Sequence, residues 1–290
     1  MTVELGGSDG EGLREVLEAL ASWQVDDASL QFHPGDLGWF WRFGAEATAA
    51  AVRTWSRAGH LLAVGFLDSP TVLRLALAPQ ARDDDDLARA LVEDVVDVGH
   101  GVLAEGRVSL EVPAGARVRE ALADRGWKGD EAWTSLRRSL ADPVEDPGVR
   151  IEVVSADRVE ERVAVQRASF DSSTFTVERW QTMHDAPAYR GARCLVAYDD
   201  RDAPVAAVTV WSAGPGRPGL LEPLGVHRDH RGRGFGRAIS LGAAAALREL
   251  GSSCAQVCTP SANVGAVATY RSAGFALLSE TRDISGDRSA

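Results

Sequence analysis

The sequence predicts an α/β protein (α+β in its mixed sheet) made of two tandem units, each a central mixed β-sheet flanked by helices. Three observations carry this. A single offset of 148 residues aligns the two halves at separate places. The C-terminal half runs from paired β-leaning segments into a strand–helix–strand–helix order. A glycine-rich loop lies between an apolar strand and a long helical stretch.

The offset is read from four matches. Thr2-Val-Glu-Leu pairs with Arg150-Ile-Glu-Val, and an Asp (Asp9, Asp157) opens a helical pattern soon after each. Val72-Leu-Arg-Leu-Ala-Leu-Ala pairs with Leu220-Leu-Glu-Pro-Leu-Gly-Val. Leu87-Ala-Arg-Ala-Leu pairs with Phe235-Gly-Arg-Ala-Ile, and Gly126-Trp127 with Gly274-Phe275. Four matches at one spacing exceed what two unrelated helices would mimic, and the offset is expected to run without a gap. The domains are therefore read as 1–141 and 149–290, joined at 142–148 by Asp-Pro-Val-Glu-Asp-Pro-Gly, which has the composition of an exposed linker.

In the second copy, 149–154 reads as a strand, 157–169 as an amphipathic helix and 177–184 as another. Residues 192–198 and 205–211 are apolar strands about the turn-rich Asp199-Asp-Arg-Asp-Ala-Pro204. A strand at 220–226 follows. The helix at 234–250 stops at Gly251, a strand occupies 255–258, and a helix at 263–273 stops at Gly274. Residues 275–284 close the unit.

The 290 residues are 45% hydrophobic and 25% charged, a soluble globular composition that suits two domains of moderate size. The net charge of −11 leaves no basic footprint for nucleic acid. It serves solubility first, and weakly favours a cationic or amine partner. Three cysteines, Cys194, Cys254 and Cys258, form no disulfide framework and read as small buried residues. His227 and His230 lack the spacing of a zinc motif, so no metal is expected. The start MTVELGGSDG does not resemble a signal peptide, and runs such as 241–247 fall short of a membrane span. The expectation is a cytoplasmic protein, no membrane contact, and a monomer or homodimer.

The richest segment is Leu224-Gly-Val-His-Arg-Asp-His-Arg-Gly-Arg-Gly-Phe-Gly-Arg-Ala-Ile239. Glycines bring backbone close to a ligand. The free N–H groups and dipole of the following helix make an anion site, which Arg231, Arg233 and Arg237 favour further. A pyrophosphate suits it. It is neither a Walker loop nor a full dinucleotide fingerprint. Arg231-x-x-Gly234-x-Gly236 after a strand resembles the acetyl-CoA loop of the GNAT superfamily, Arg or Gln, x, x, Gly, x, Gly or Ala. Asn263-x-x-Ala266-x-x-x-Tyr270, then Gly274-Phe275, resembles that family's fourth helix. The resemblance covers the second copy and, degraded, the first. The two-copy plan is similar in architecture to the mycothiol synthases, with no acceptor residue that matches.

The resemblance implies an N-acetyltransferase with acetyl-CoA as co-substrate and a small primary amine as acceptor, the acetyl group moving by direct attack in a ternary complex. Acetyl-CoA would lie where the strand carrying Leu224, Gly225 and Val226 splays from its neighbour, and backbone N–H groups there would polarise the thioester. Its other contacts would be Arg231, Gly232, Arg233, Gly234, Phe235, Gly236, Arg237 and Asn263. Tyr270 is the candidate general acid for the thiolate; the other reading is a core aromatic with its hydroxyl at the rim. Asn263 is either a ligand contact or a helix N-cap. Glu222 is the candidate base, directly or through water, with His227 and His230 as alternatives, and otherwise a surface carboxylate. On a regular strand Glu222, Leu224 and Val226 share a face, which a bulge near Pro223 or Gly225 would re-aim.

The offset shows what the first copy lacks. Glu222 becomes Arg74 (222 − 148 = 74), residues 231–234 become four aspartates at 83–86, Gly236 becomes Ala88 and Tyr270 becomes Leu122. The carboxylates suit a helix start but repel pyrophosphate. The first copy is thus read as a degenerate GNAT-like domain without CoA binding by this route. Its aromatic run Trp39-Phe40-Trp41 reads as core packing or as the wall of an acceptor pocket. A protein or peptide N-acetyltransferase, or a non-catalytic acyl-CoA-binding regulatory module, are the other functions the sequence allows.

Overall fold

The computed structural model describes residues 2–288, as mixed α/β structure with strands β1 (Glu4–Gly7), β2 (Val52–Arg57), β3 (His60–Ser69), β4 (Val72–Leu77), β5 (Gly106–Glu111), β6 (Lys128–Ser139), β7 (Ile151–Val153), β8 (Ala192–Tyr198), β9 (Pro204–Ser212), β10 (Gly219–Val226), β11 (Cys254–Pro260) and β12 (Ala276–Arg288). The helices are α1 (Gly12–Ser22), α2 (Pro34–Phe40), α3 (Ala45–Ala51), α4 (Asp85–Val96), α5 (Arg117–Asp124), α6 (Val159–Ser169), α7 (Val177–His184), α8 (Phe235–Glu249) and α9 (Val264–Ser272).

The chain forms two compact units whose boundaries do not follow the repeat. The first takes residues up to His33, Ala45–Trp133, and Glu280 onward; the second takes Pro34–Gly44 and Thr134–Ser279. Residues 142–148 thus lie inside the second unit. Val144 packs on its core there, and Glu145 pairs with Arg138 and, at 3.7 Å, with Arg237.

In the first unit the strand order is β1-β2-β3-β4-β5-β12. β1 through β4 are antiparallel neighbours, β4 and β5 are parallel, and β12 runs antiparallel to β5 from Ile284↔Leu110 to Arg288↔Gly106. Its core holds the fully buried Trp55 and a stack of Phe32 on Phe66, with ring centroids 5.1 Å apart. The second unit has the order β6-β11-β10-β9-β8-β7. β7 through β10 are antiparallel neighbours, and β10 and β11 are parallel. The near-continuous apolar runs of β8 and β9 follow from burial on both faces. One face carries α8 and α9 over Leu221, Ile239, Leu247 and Phe275. The other carries α6 and α7 over Val165, Phe175, Trp180 and Trp211.

The predicted elements of the second copy are all present, with ends moved by a few residues. The longest extension is the last strand, which continues to Arg288. By element starts, α1 precedes α6 by 147 residues (159 − 12) and β4 precedes β10 by 147 (219 − 72), within one residue of the offset of 148. It does not hold without a gap: β2 begins 140 residues before β8 (192 − 52) and β3 begins 144 before β9 (204 − 60). The residues between differ because α2 and α3 in the first copy stand where the second has α7 alone. No helix among the described residues is long and apolar enough to cross a membrane.

Candidate active site

The site is built where β10 leaves β11. Among the described residues their parallel pairing comprises Gly219↔Ala255 and Leu220↔Gln256 and goes no further. On its other side β10 stays with β9, but with one extra residue: Leu221 pairs with Val210 and Leu224 with Val208. Glu222 and Pro223 occupy this bulge, where the proline's missing N–H costs no ladder bond. The extra residue resets the side-chain alternation. Leu221, Leu224 and Val226 all meet the core under α8, whereas a regular strand would send Leu221 to the opposite face from Leu224. The strand is thus not regular at Glu222: of the two places where a bulge would re-aim the set, the one near Pro223 holds it. The carbonyl of Glu222 accepts the Trp211 indole N–H at 2.7 Å.

Tyr270 reaches the same place from α9. It is 7% exposed and its ring lies 5.8 Å from that of Phe275. Burial pushes the phenol well above its ordinary pKa, and the Glu222 carboxylate and the Cys258 thiol beside it push further the same way. The phenol is therefore a held proton across the physiological range. Cys258, on β11, also lies with its sulfur 3.6 Å from the Ser135 hydroxyl. Sequence reasoning did not connect it to Tyr270, because the two are in different elements with no shared spacing. Asn263 is the N-cap of α9: its side-chain oxygen accepts the Ala266 N–H at 3.1 Å.

The loop before α8 has Gly232 at φ +75° and Gly234 at φ +87°, conformations that favour glycine. Gly234 is the N-cap and makes no side-chain cap, and no acid lies in the first turn. The first helical bond runs from the Ala238 N–H to the Gly234 carbonyl, so the N–H groups of Phe235, Gly236 and Arg237 have no acceptor within the helix. Gly236 serves packing: a Cβ there would stand 2.8 Å from the Thr269 methyl on α9. Gly225 likewise lets β10 approach the end of α6, since a Cβ would stand 2.7 Å from the Ser169 hydroxyl.

The loop arginines differ in their partners. The Arg231 guanidinium donates to the carbonyls of Ser169 at 2.8 Å and Val226 at 3.4 Å. Arg228 donates to those of Ala168 and Arg167. Together they cap the carbonyl end of α6 and shape the loop. Arg237 donates to the Ser272 carbonyl at 2.9 Å. Arg233 is exposed, lies over the Phe235 ring at 5.5 Å and contacts the His230 Nδ1 at 3.2 Å. The His227 Nδ1 accepts the Asp229 N–H at 3.2 Å. Among the described residues no group of three or more His, Cys, Asp and Glu stands together as a metal site.

An uncapped helix start bearing only cationic and neutral side chains fits a pyrophosphate, and the splay beside Glu222 and Tyr270 fits an acyl group and its acceptor. Residues 158–275 match the model of the acetyltransferase (GNAT) family. A mycothiol acetyltransferase of Propionibacterium freudenreichii subsp. shermanii is 30% identical over 157 residues, 50% of each chain, so the chain spans about half the length of this curated relative. A tandem GNAT protein from the clavulanic acid biosynthesis pathway has a similar fold, with TM-score 0.64 and 17% identity over 98% of both chains. So does a GCN5-related N-acetyltransferase from Sphaerobacter thermophilus, with TM-score 0.59 and 18% identity over 98% of this chain and 95% of the other. The segment 158–275, which carries Glu222, the loop before α8 and Tyr270, belongs to the GNAT acetyltransferase family.

Proposed function

We propose that the second unit binds acetyl-CoA and moves its acetyl group to the primary amine of a small molecule, by direct attack in a ternary complex. The observation that carries this reading is a buried Tyr270 on α9 together with Glu222 in the bulge where β10 leaves β11, on the strand that leads into an uncapped helix start. The N–H groups opening α8, with Arg233, hold the pyrophosphate; Arg231 acts by fixing the loop. Acetyl-CoA supplies a thioester carbonyl open to an amine, and the backbone of Leu224, Gly225 and Val226 orients it.

Glu222 takes the proton of the acceptor ammonium, directly or through water. The neutral amine forms the C–N bond as the C–S bond breaks. Tyr270 gives its proton to the departing sulfur, a transfer worth about 10²–10⁴-fold, and the second proton of the acylated nitrogen passes to the tyrosinate, directly or through water, leaving a neutral amide, the CoA thiol and a restored phenol. The relative named a mycothiol acetyltransferase supports acetyl as the acyl group and a small molecule as acceptor. The first unit is read as a copy that binds no CoA, because a carboxylate already caps its matching helix.

Calorimetric titration with acetyl-CoA is expected to give one site per chain, followed by amine-dependent CoA release across a panel of small amines. Two sites would overturn the reading of the first unit. Absence of binding would remove the enzymatic reading of the second.

A further inference from the structure

We propose that the Pro34–Gly44 segment is a positioning element for the base, acting through Trp211 on the peptide of Glu222. This rests on the acetyl-transfer reading, in which Glu222 takes the acceptor's proton. The segment lies in the N-terminal copy's sequence but packs within the second unit. Its helix α2 meets β9 and β10.

At the contact, Gly38 leaves room that the Trp211 ring fills. A Cβ on Gly38 would overlap that ring, standing 2.7 Å from Cε3. On another side the ring meets Tyr189 edge-on, with centroids 6.0 Å apart and planes at 87°. Trp211 is 1% exposed, so its orientation is set by these neighbours. Its indole N–H, a donor with no acceptor role, then points at the Glu222 carbonyl at 2.7 Å. That carbonyl sits in the bulge, where the ladder of β10 with β9 is interrupted. The bond supplies there what the strand partner does not, and fixes the peptide next to the Glu222 Cα.

The rest of the segment is built to hold Gly38 in place. The Trp39 ring lies 5.1 Å from that of Phe175. The Arg42 guanidinium stacks 4.1 Å from the Trp39 ring and donates to the Trp39 carbonyl at 2.6 Å. Trp39 of the aromatic run thus packs on the second unit's core, and the consequence reaches the base. A phenylalanine at 211 would keep an aromatic ring in most of that space and give no hydrogen bond.

The test is Trp211→Phe alone and in combination with Glu222→Gln, with steady-state kinetics, a pH–rate profile and acetyl-CoA calorimetry. Trp211→Phe is expected to lower kcat about 10- to 100-fold, as small misplacements of reacting groups do. Acetyl-CoA affinity should hold, the limb of the pH profile that Glu222→Gln abolishes should move, and Trp211→Phe should cost nothing further in the Glu222→Gln background. Equal losses in both backgrounds, or an unmoved pH limb, would overturn the inference. Wild-type rates in Glu222→Gln would instead remove the base reading itself, and the inference with it. Gly38→Ala, which displaces the ring but keeps the donor, is the second variant should Trp211→Phe not fold. It is expected to lower kcat and move the same limb, and wild-type kinetics in it would overturn the proposal.

Discussion

The starts of α4 and α8 are the same place in the two copies, and they differ in what occupies the helix N–H groups. At α8 the N-cap is Gly234, in the left-handed region, with no side-chain cap and no acid in the first turn. At α4 the N-cap is Asp84, whose carboxylate accepts the Leu87 N–H at 2.9 Å, followed by Asp85 and Asp86. Arg57 grips Asp84 with two hydrogen bonds, at 2.7 and 3.0 Å, and this above all holds its pKa down to about 2. One helix start has neither a side-chain cap nor an acid in its first turn; the other carries its own carboxylates. The strands differ in the same sense. β10 bulges at Glu222, while β4 pairs regularly with β3 from Leu73↔Leu67 to Leu77↔Ala63. Arg74, at the position of Glu222, is tied to Glu111 at 2.6 Å, and Leu122, at the position of Tyr270, is fully buried. The fold survives all these changes because they leave the core faces apolar. At the positions matching Glu222, Tyr270 and the start of α8, the first copy has other groups, and they are buried or satisfied internally.

The comparison breaks most visibly if Tyr270 is made as inert as its counterpart. Tyr270→Phe keeps the ring against Phe275 and removes the proton, and is expected to lower kcat by about 10²-fold or more. Acetyl-CoA binding measured by calorimetry should be unchanged. Retention of wild-type kcat would mean that the phenol is only core. The next largest effect comes from giving α8 the cap of α4. Gly234→Asp places a carboxylate at the helix start and a side chain at φ +87°, at a backbone cost of about 1–2 kcal/mol. Acetyl-CoA affinity is expected to fall about 10- to 100-fold, since each 1.4 kcal/mol is tenfold. An unchanged dissociation constant would show that the helix start is not what holds the anion.

The strand–loop–helix order was legible because it depends on local pattern, and Glu222 and Tyr270 could be named as candidates because fixed spacing marks them. Their proximity was not. It needs β10, β11 and α9 to converge, and it shows as the effect of Glu222 on the Tyr270 phenol. The loop arginines were legible as charge but not as bonds: Arg231 and Arg237 spend their donors on carbonyls of Ser169 and Ser272, residues far along the chain. Trp211 reads in sequence as one more apolar residue of a buried strand, because its function rests on one polar atom aimed across the sheet. The division into units was least legible. Pro34–Gly44 and the end of β12 pack according to tertiary fit, which a constant offset does not encode.

Two smaller effects sharpen the comparison from the side of the first unit. Asp84→Ala removes a helix cap and is expected to cost about 1 kcal/mol of stability, read as a lower urea midpoint for that unit, while the acetyl-CoA stoichiometry stays the same. No change in the midpoint would mean that the Asp84 network contributes only charge repulsion. Asp283 gives the last prediction. Burial first, and the Glu111 carboxylate second, raise it from 3.8 to about 6, against the Trp133 indole N–H that donates to it at 3.0 Å. A raised folded pKa means that the folded state binds this proton more tightly than the unfolded chain. The associated stability is fully present below the unfolded value of 3.8 and is lost as pH rises through about 6. Asp283→Asn keeps an acceptor for Trp133 and removes the charge. The variant should therefore match or exceed the wild type in thermal stability above pH 6, and the fall contributed by this group between 3.8 and about 6 should vanish. The effect is the smallest of the set because the side chain is only half-buried and solvent screens it. Parallel stability–pH curves for the two proteins would show that the Arg74–Glu111 pair already balances this strand end without help from the Asp283 proton.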